Sequence, residues 1–197
     1  MKFVLASNNK GKLIEMRTLM EEMNIDAEVI SRREAGLTED VEENGLTFEE
    51  NSRIKAIADC KASGLPAIAD DSGLCVDALG GAPGIYSARY TGNHDDSDEM
   101  RNLLVLKNME GKENRGAAFV SAVCCVFPDG REITVRGECR GAIGFEQKGT
   151  NGFGYDSIFI PEGYDCMMAE LSSEEKNAIS HRGKAFRLLL EELKAVI

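Results

Sequence analysis

Apolar positions along the chain follow two rhythms, short unbroken runs and spacings of three or four residues. Lys2 to Ala6 is a short run that predicts a strand, and the polar segment Ser7 to Lys12 follows it. Leu13, Met16, Leu19, Met20 and Met23 then recur at the interval of one buried helical face. Thr47 and Glu50 make a capping-box pair that opens a second helix, and Gly64 ends it. Pro66 to Ala69 reads as a buried strand that stops at Asp70-Asp71-Ser72-Gly73. A third helix, near Ser97 to Met109, is expected to pack Met100, Leu103, Leu104 and Leu106 inward. Two β-rich runs flank Pro128-Asp129-Gly130, a hairpin signal. Ser172 and Glu175 repeat the capping pattern and open a helical region that reaches the C-terminus, interrupted near Gly183. Helices interleaved with strands, plus a hairpin, predict an α/β fold with a mixed sheet flanked by helices. No repeat, low-complexity tract or linker divides the 197 residues, so positions 1–197 are expected to form a single domain.

Charge narrows the function. The chain carries 23 Lys and Arg against 34 Asp and Glu, a net of -11, and such a surface repels nucleic-acid backbones. A small ligand is therefore favoured over DNA or RNA. If that ligand is an anion, its site needs a local basic pocket or a bound cation. The apolar run near the N-terminus, Phe3 to Ala6, is too short for a signal-peptide core, and Ala117 to Phe127 is too short for a membrane helix. Six cysteines show no Cys-x-x-Cys pair and no zinc spacing, which favours reduced thiols. The expectation is a soluble cytoplasmic protein with no membrane partner.

Four polar clusters carry candidate chemistry. Ser7-Asn8-Asn9-Lys10-Gly11-Lys12 forms a strand-to-helix turn whose amides and lysines suit an anion such as phosphate. It is not a P-loop, since position 6 is Ala and no Ser or Thr follows Lys12, and by itself it reads more readily as a capped, solvated helix start. Asp70-Asp71-Ser72-Gly73 offers two acids to a hard cation such as magnesium, or is a polar turn. Adjacent side chains on an extended segment point opposite ways, so one aspartate could serve a site and the other the fold. Glu42 and Glu43 add carboxylates, or simply solvated surface. Gly152-Phe153-Gly154-Tyr155-Asp156 could let a flat ligand stack on an aromatic ring, or reflect ordinary packing. Glu175 to Lys184 concentrates cations, with Lys176 and Ser180 on one helical face, as an anionic ligand would require, but in isolation it reads more readily as an exposed charged surface.

Taken together, these segments resemble the inosine triphosphate pyrophosphatase family. The long string from Ala69 to Tyr90, with Ala69-Asp70-Asp71-Ser72-Gly73-Leu74 at its start, is its most specific part. Ser7-x-Asn9-x-x-Lys12, Thr47-Phe48-x-Glu50-Asn51, Phe153-Gly154-Tyr155-Asp156 and Ser180-His181-Arg182-Gly183 fit in the same order. Three positions depart from the family pattern: Ser157 where Pro is usual, Met168 where Thr or an aromatic is commoner, and Asn44 for a frequent Thr. None removes a charged site residue, so they bear on substrate preference rather than activity.

The resemblance implies an elongated mixed sheet flanked by helices, two lobes with a central cleft, and a homodimer. It also implies hydrolysis of the α–β bond of inosine, deoxyinosine and xanthosine triphosphates to the monophosphate and pyrophosphate. By the same resemblance, Asp71 matches the general base, and Glu43 with Asp71 the Mg2+ position. Ser7, Asn8, Asn9, Lys10, Gly11, Lys12, Ser72 and Lys176 match triphosphate contacts. Phe153, Gly154, Tyr155, Asp156, His181 and Arg182 match the base pocket. A nucleotide pyrophosphatase of other specificity and a non-catalytic nucleotide sensor are the rival readings. A Ser72 nucleophile is disfavoured, because no third orienting residue accompanies His181.

Overall fold

The computed structural model describes residues 1–196. Strand β1 (Lys2–Leu5) leads into helix α1 (Lys10–Glu22), then β2 (Glu28–Ser31) and α2 (Phe48–Ser63). Next come β3 (Ala67–Val76), α3 (Asp98–Asn108), β4 (Gly116–Val126) and β5 (Glu132–Ile143). The chain ends with β6 (Phe159–Pro161), α4 (Ser173–Ile179) and α5 (His181–Leu193). One six-stranded sheet has the order β2-β1-β3-β4-β5-β6. β1 runs parallel to β2 and β3, whereas β5 and β6 are antiparallel, so the sheet is mixed. No helix among the described residues is long and apolar enough to cross a membrane.

The chain separates into two compact units. The first comprises Met1–Asp71, Ser121–Gly137 and the chain from Arg182 on. Its larger core joins Leu13, Met16, Leu19 and Met20 of α1 to Phe186, Leu189, Leu190 and Leu193 of α5 across Phe3, Leu5 and Ile68. The apolar spacing of both helices accounts for that seam. A smaller core, with Ala56 and Cys60 of α2 against Val4, Ala67 and Cys124, holds α2. Thr47 caps α2 by accepting from the Glu50 N–H at 3.1 Å, and Gly64 ends the helix with φ 69°. The second unit, Ser72–Val120 and Glu138–His181, packs Leu74, Val76, Val105, Met109, Phe119, Ile158 and Phe159 together.

Four details correct the sequence reading. β3 does not stop at the aspartates but continues to Val76, because Leu74 and Val76 resume inward alternation and enter the second core. The four-residue β2 has no periodic signal of its own. α3 turns Asn102, Val105 and Met109 inward, while Met100 and Leu103 are half exposed. The C-terminal break falls at Ser180, which is extended at ψ 141°, and Gly183 lies buried inside α5.

Candidate active site

In the first unit the chemistry gathers around the end of β1, the start of α1 and the middle of β3. Asn9 is the N-cap of α1: its side-chain oxygen accepts from the N–H groups of Gly11 (2.8 Å) and Lys12 (3.2 Å). Ser7 Oγ accepts from the Asn9 N–H, and Asn8 Oδ1 accepts from the Arg33 N–H. Lys10 and Gly11 are exposed. The segment is thus a capped helix start whose lysines differ in environment. The Lys12 ammonium donates to both oxygens of Asp70, at 2.8 and 2.6 Å.

The two aspartates of β3 divide as strand alternation requires. Asp70 is buried; burial pushes its pKa up, but Lys12, aided by Lys55 and Arg182, outweighs this and leaves it below the usual value. Asp71 moves the other way. Desolvation pushes its pKa up, the charges of Glu43 and Asp70 add to this, and Lys55 and Asn51 only partly compensate. Its Oδ2 accepts from Asn51 Nδ2 at 3.1 Å. The Lys55 ammonium lies 3.8 Å from Asp71 Oδ1 and 2.9 Å from Glu43 Oε2, so one cation faces both acids.

Beside these groups is a cavity of about 370 Å³ lined by Ser7, Asn8, Lys12, Glu43, Lys55 and Asp70, among others. Arg32 and Asp59 line it too, joined by an ion pair of 2.9 Å. Every cation on this wall is therefore matched to a carboxylate, and an entering anion would meet preformed pairs. Asn51, Lys55, Arg32 and Asp59 are residues around the cavity to which the sequence reading gives no role, whereas Asp70 is the aspartate that serves the fold. Asn51 and Lys55 carry a usable signal, because they stand four apart on a helix whose start is fixed by the Thr47 cap, and so share a face. Arg182, expected at the base pocket, donates from Nε to Glu15 Oε2 of α1 at 2.7 Å.

The second unit holds the loop from Gly152 to Asp156. Asp156 is buried, and its Oδ2 accepts both from the Phe153 N–H, at 3.0 Å, and from the Lys176 ammonium. A Cβ at Gly152, where φ is +79°, would overlap that carboxylate, so only glycine fits. Phe153 is 66% exposed, too open for core packing, and the Lys176 ammonium sits 4.4 Å from its ring centroid. Tyr155 is different: its ring is buried, its hydroxyl donates to the Ser87 carbonyl at 2.7 Å, and burial pushes its phenol pKa up. It supports the loop from below. The His181 ring stacks on Phe119, with centroids 5.0 Å apart. Ser72, the first residue of this unit, is half-buried within β3. The structure therefore brings Phe153, Asp156 and Lys176 together in one unit, and Lys12, Glu43 and Asp71 in the other.

A mixed-sheet α/β chain with an ion-paired polar cavity and an exposed aromatic loop is the class these features define. The sequence model of the Ham1 family matches residues 3–192. The dITP/XTP pyrophosphatase of Streptomyces avermitilis is 46% identical over 197 residues, covering 100% of this chain and 98% of that protein. The Haemophilus influenzae protein of the same name is 49% identical, with 98% of each chain covered. Among solved structures, the Staphylococcus aureus Ham1 protein superposes with a TM-score of 0.92 at 42% identity over 99% of both chains. A HAM1 protein from Coxiella burnetii gives 0.93 at 39% identity over 100% of both. The chain belongs to the Ham1 family.

Proposed function

We propose that this protein hydrolyses non-canonical purine nucleoside triphosphates (ITP, dITP and XTP) to the monophosphate and pyrophosphate, keeping such bases out of DNA and RNA. The observation that carries the reading is the Asp71 carboxylate, set between Lys55 and Asn51 with its pKa raised, in a chain whose full-length relatives are named dITP/XTP pyrophosphatases. A raised pKa suits a general base, because it brings proton affinity closer to working pH. In this reading Asp71 takes the proton of the attacking water as its oxygen bonds to phosphorus. The P–O bond to the leaving pyrophosphate breaks in the same displacement. Ser7 to Lys12, Ser72 and Lys176 hold the triphosphate.

Glu43 and Asp71 fit a magnesium ion in a particular way. They converge on a single ammonium, and no three His, Cys, Asp or Glu side chains among the described residues form a cage. Mg2+ is typically held by one or two carboxylates plus substrate phosphates, which is this donor set. When bound, it would neutralise charge on the phosphate oxygens.

Base choice follows from polarity. Hypoxanthine and xanthine present an N1 hydrogen and a C6 oxygen, and adenine reverses both. Asp156 accepts from N1, His181 or Arg182 donates to the C6 oxygen, and Phe153 stacks on the ring. Adenine would leave buried polar groups unpaired, which discriminates strongly. We further read residues 1–197 as one catalytic domain, working as a homodimer in the cytoplasm without nucleic-acid partners.

A panel of purine and pyrimidine triphosphates scored for pyrophosphate release tests the proposal. ITP, dITP and XTP should exceed ATP in kcat/KM by roughly 10²-fold or more. Chelation should abolish turnover and magnesium restore it. Uniform turnover across bases, or release of orthophosphate, would overturn the assignment.

A further inference from the structure

The inward face of α3 presents an anomaly. Val105 and Met109 on this face belong to the second core, but the position one turn before Val105 is Asn102, only 2% exposed. An amide there costs stability unless its hydrogen bonds are made, and its Oδ1 is buried with no hydrogen-bond partner among the described residues. What the amide does reach is the loop of the aromatic platform. Asn102 Nδ2 lies 3.0 Å from the Gly154 carbonyl, 3.0 Å from Ser157 Oγ and 3.2 Å from Gln147 Oε1. Ser157 Oγ also lies 3.2 Å from Gln147 Oε1. This hydroxyl stands where the resembled family usually carries proline.

Four residues earlier on the same helix, Asp98 takes the other polar group of Gly154. Its Oδ2 accepts from the Gly154 N–H at 2.6 Å, while its Oδ1 accepts from Arg101 at 2.6 Å. Desolvation pushes the Asp98 pKa up, but Arg101 and the Gly154 amide outweigh it, so the carboxylate is held ionised. Gly154 itself has φ 63°, a left-handed conformation that glycine adopts without strain, so its two bonds to α3 select one of several open conformations of the loop. Its N–H and its C=O are thus both tied to α3, on either side of a residue whose neighbour is the exposed Phe153.

We propose that Asp98 and Asn102 are positioning residues for base selection: by gripping Gly154 from both sides, they fix the angle at which Phe153 and Asp156 meet the base. This rests on reading Phe153 to Asp156 as the base pocket. Neither residue touches substrate. Their effect is exerted through the loop, so it falls on recognition of the base and spares the phosphate chemistry. The unsatisfied Oδ1 fits such a role, since a residue selected only for packing would be apolar here.

Asn102→Leu separates the possibilities, because leucine has similar volume and suits the face occupied by Val105 and Met109. KM for ITP should rise about tenfold and the ITP-to-ATP ratio of kcat/KM should fall about tenfold, the size of one lost buried hydrogen bond. The kcat for ITP and the inhibition constant for inorganic triphosphate should stay within about twofold, since neither depends on the base. Parallel losses in kcat, KM and triphosphate inhibition, with the ratio unchanged, would make Asn102 merely structural and overturn the proposal. Should Asn102→Leu fail to fold, Asp98→Ala, at a half-exposed position, tests the same grip from the amide side with the same readouts. A wild-type enzyme without preference for ITP would sink the base-pocket reading. A wild-type preference that both variants keep would sink this inference alone.

Discussion

Asp71→Asn loses turnover by roughly 10²–10⁴-fold, the range for removing a general base, while the folded protein is at least as stable as the wild type at neutral pH. The first half follows from the role assigned to the carboxylate. The second follows from its environment. The Asp71 pKa is raised by burial and by Glu43 and Asp70, against the pull of Lys55 and Asn51. A carboxyl whose folded pKa exceeds its unfolded value of 3.8 contributes stability below that value and loses it as pH rises through the folded pKa. At neutral pH ionised Asp71 is therefore a cost, and an amide in its place removes that cost. The amide oxygen can still accept from Asn51, and Lys55 keeps its 2.9 Å pair with Glu43. The stability gain should shrink as pH falls toward the ordinary carboxylate range, where wild-type Asp71 is itself neutral. Urea unfolding at neutral and acid pH, beside pyrophosphate release, measures both halves. Near-normal turnover would remove Asp71 from the chemistry. A marked loss of stability at neutral pH would make it a structural residue.

The molecule is legible in its sequence wherever a residue's own neighbours decide its fate. The α1 face from Leu13 to Met20 and the caps at Thr47 and Ser172 depend on spacings of three and four residues, and each is present. The hairpin at Pro128-Asp129-Gly130 is equally local, and joins β4 to β5 as expected. Failures begin where distant partners decide. Nothing near Asp70-Asp71 announces that Lys12 and Lys55 satisfy the two carboxylates, so an acidic pair that looks like a turn is instead carried through a strand. Met100 and Leu103 satisfy a helical hydrophobic pattern as well as Val105 does. Asn102 wins the inward position because Gly154, 52 residues away, supplies its hydrogen bond. The site is similar in kind. The clusters around Asp71 and Phe153 are visible as residue types, but that Asp156 is shared between the Phe153 amide and Lys176, and that Arg182 is held by Glu15, are tertiary facts.

Lys12→Ala should destabilise the fold by about 3–5 kcal/mol at neutral pH, more than its role as a phosphate contact would suggest. The Lys12 ammonium is the group that lets Asp70 stay ionised at 2% side-chain exposure, and it does so with two hydrogen bonds. Removing one partner of a buried pair leaves the other charge desolvated and uncompensated, which costs more than the pair was worth. Sign and pH window follow. In the wild type the Asp70 pKa is depressed, so its contribution is present above the unfolded value of 3.8 and is lost as pH falls below it. In the variant burial dominates, the Asp70 pKa rises, and the folded state gains by taking up a proton. The stability gap should therefore narrow as the solution is acidified. It should also narrow at neutral pH when Asp70→Asn is added to Lys12→Ala, since a neutral amide needs no ammonium. Recovery of stability in that double variant without recovery of triphosphate affinity would separate the two duties of Lys12. Its charge holds Asp70 in the fold, and the same charge is presented to the phosphates. A Lys12→Ala protein as stable as the wild type would show that Asp70 needs no such partner, and would leave Lys12 as a phosphate ligand only.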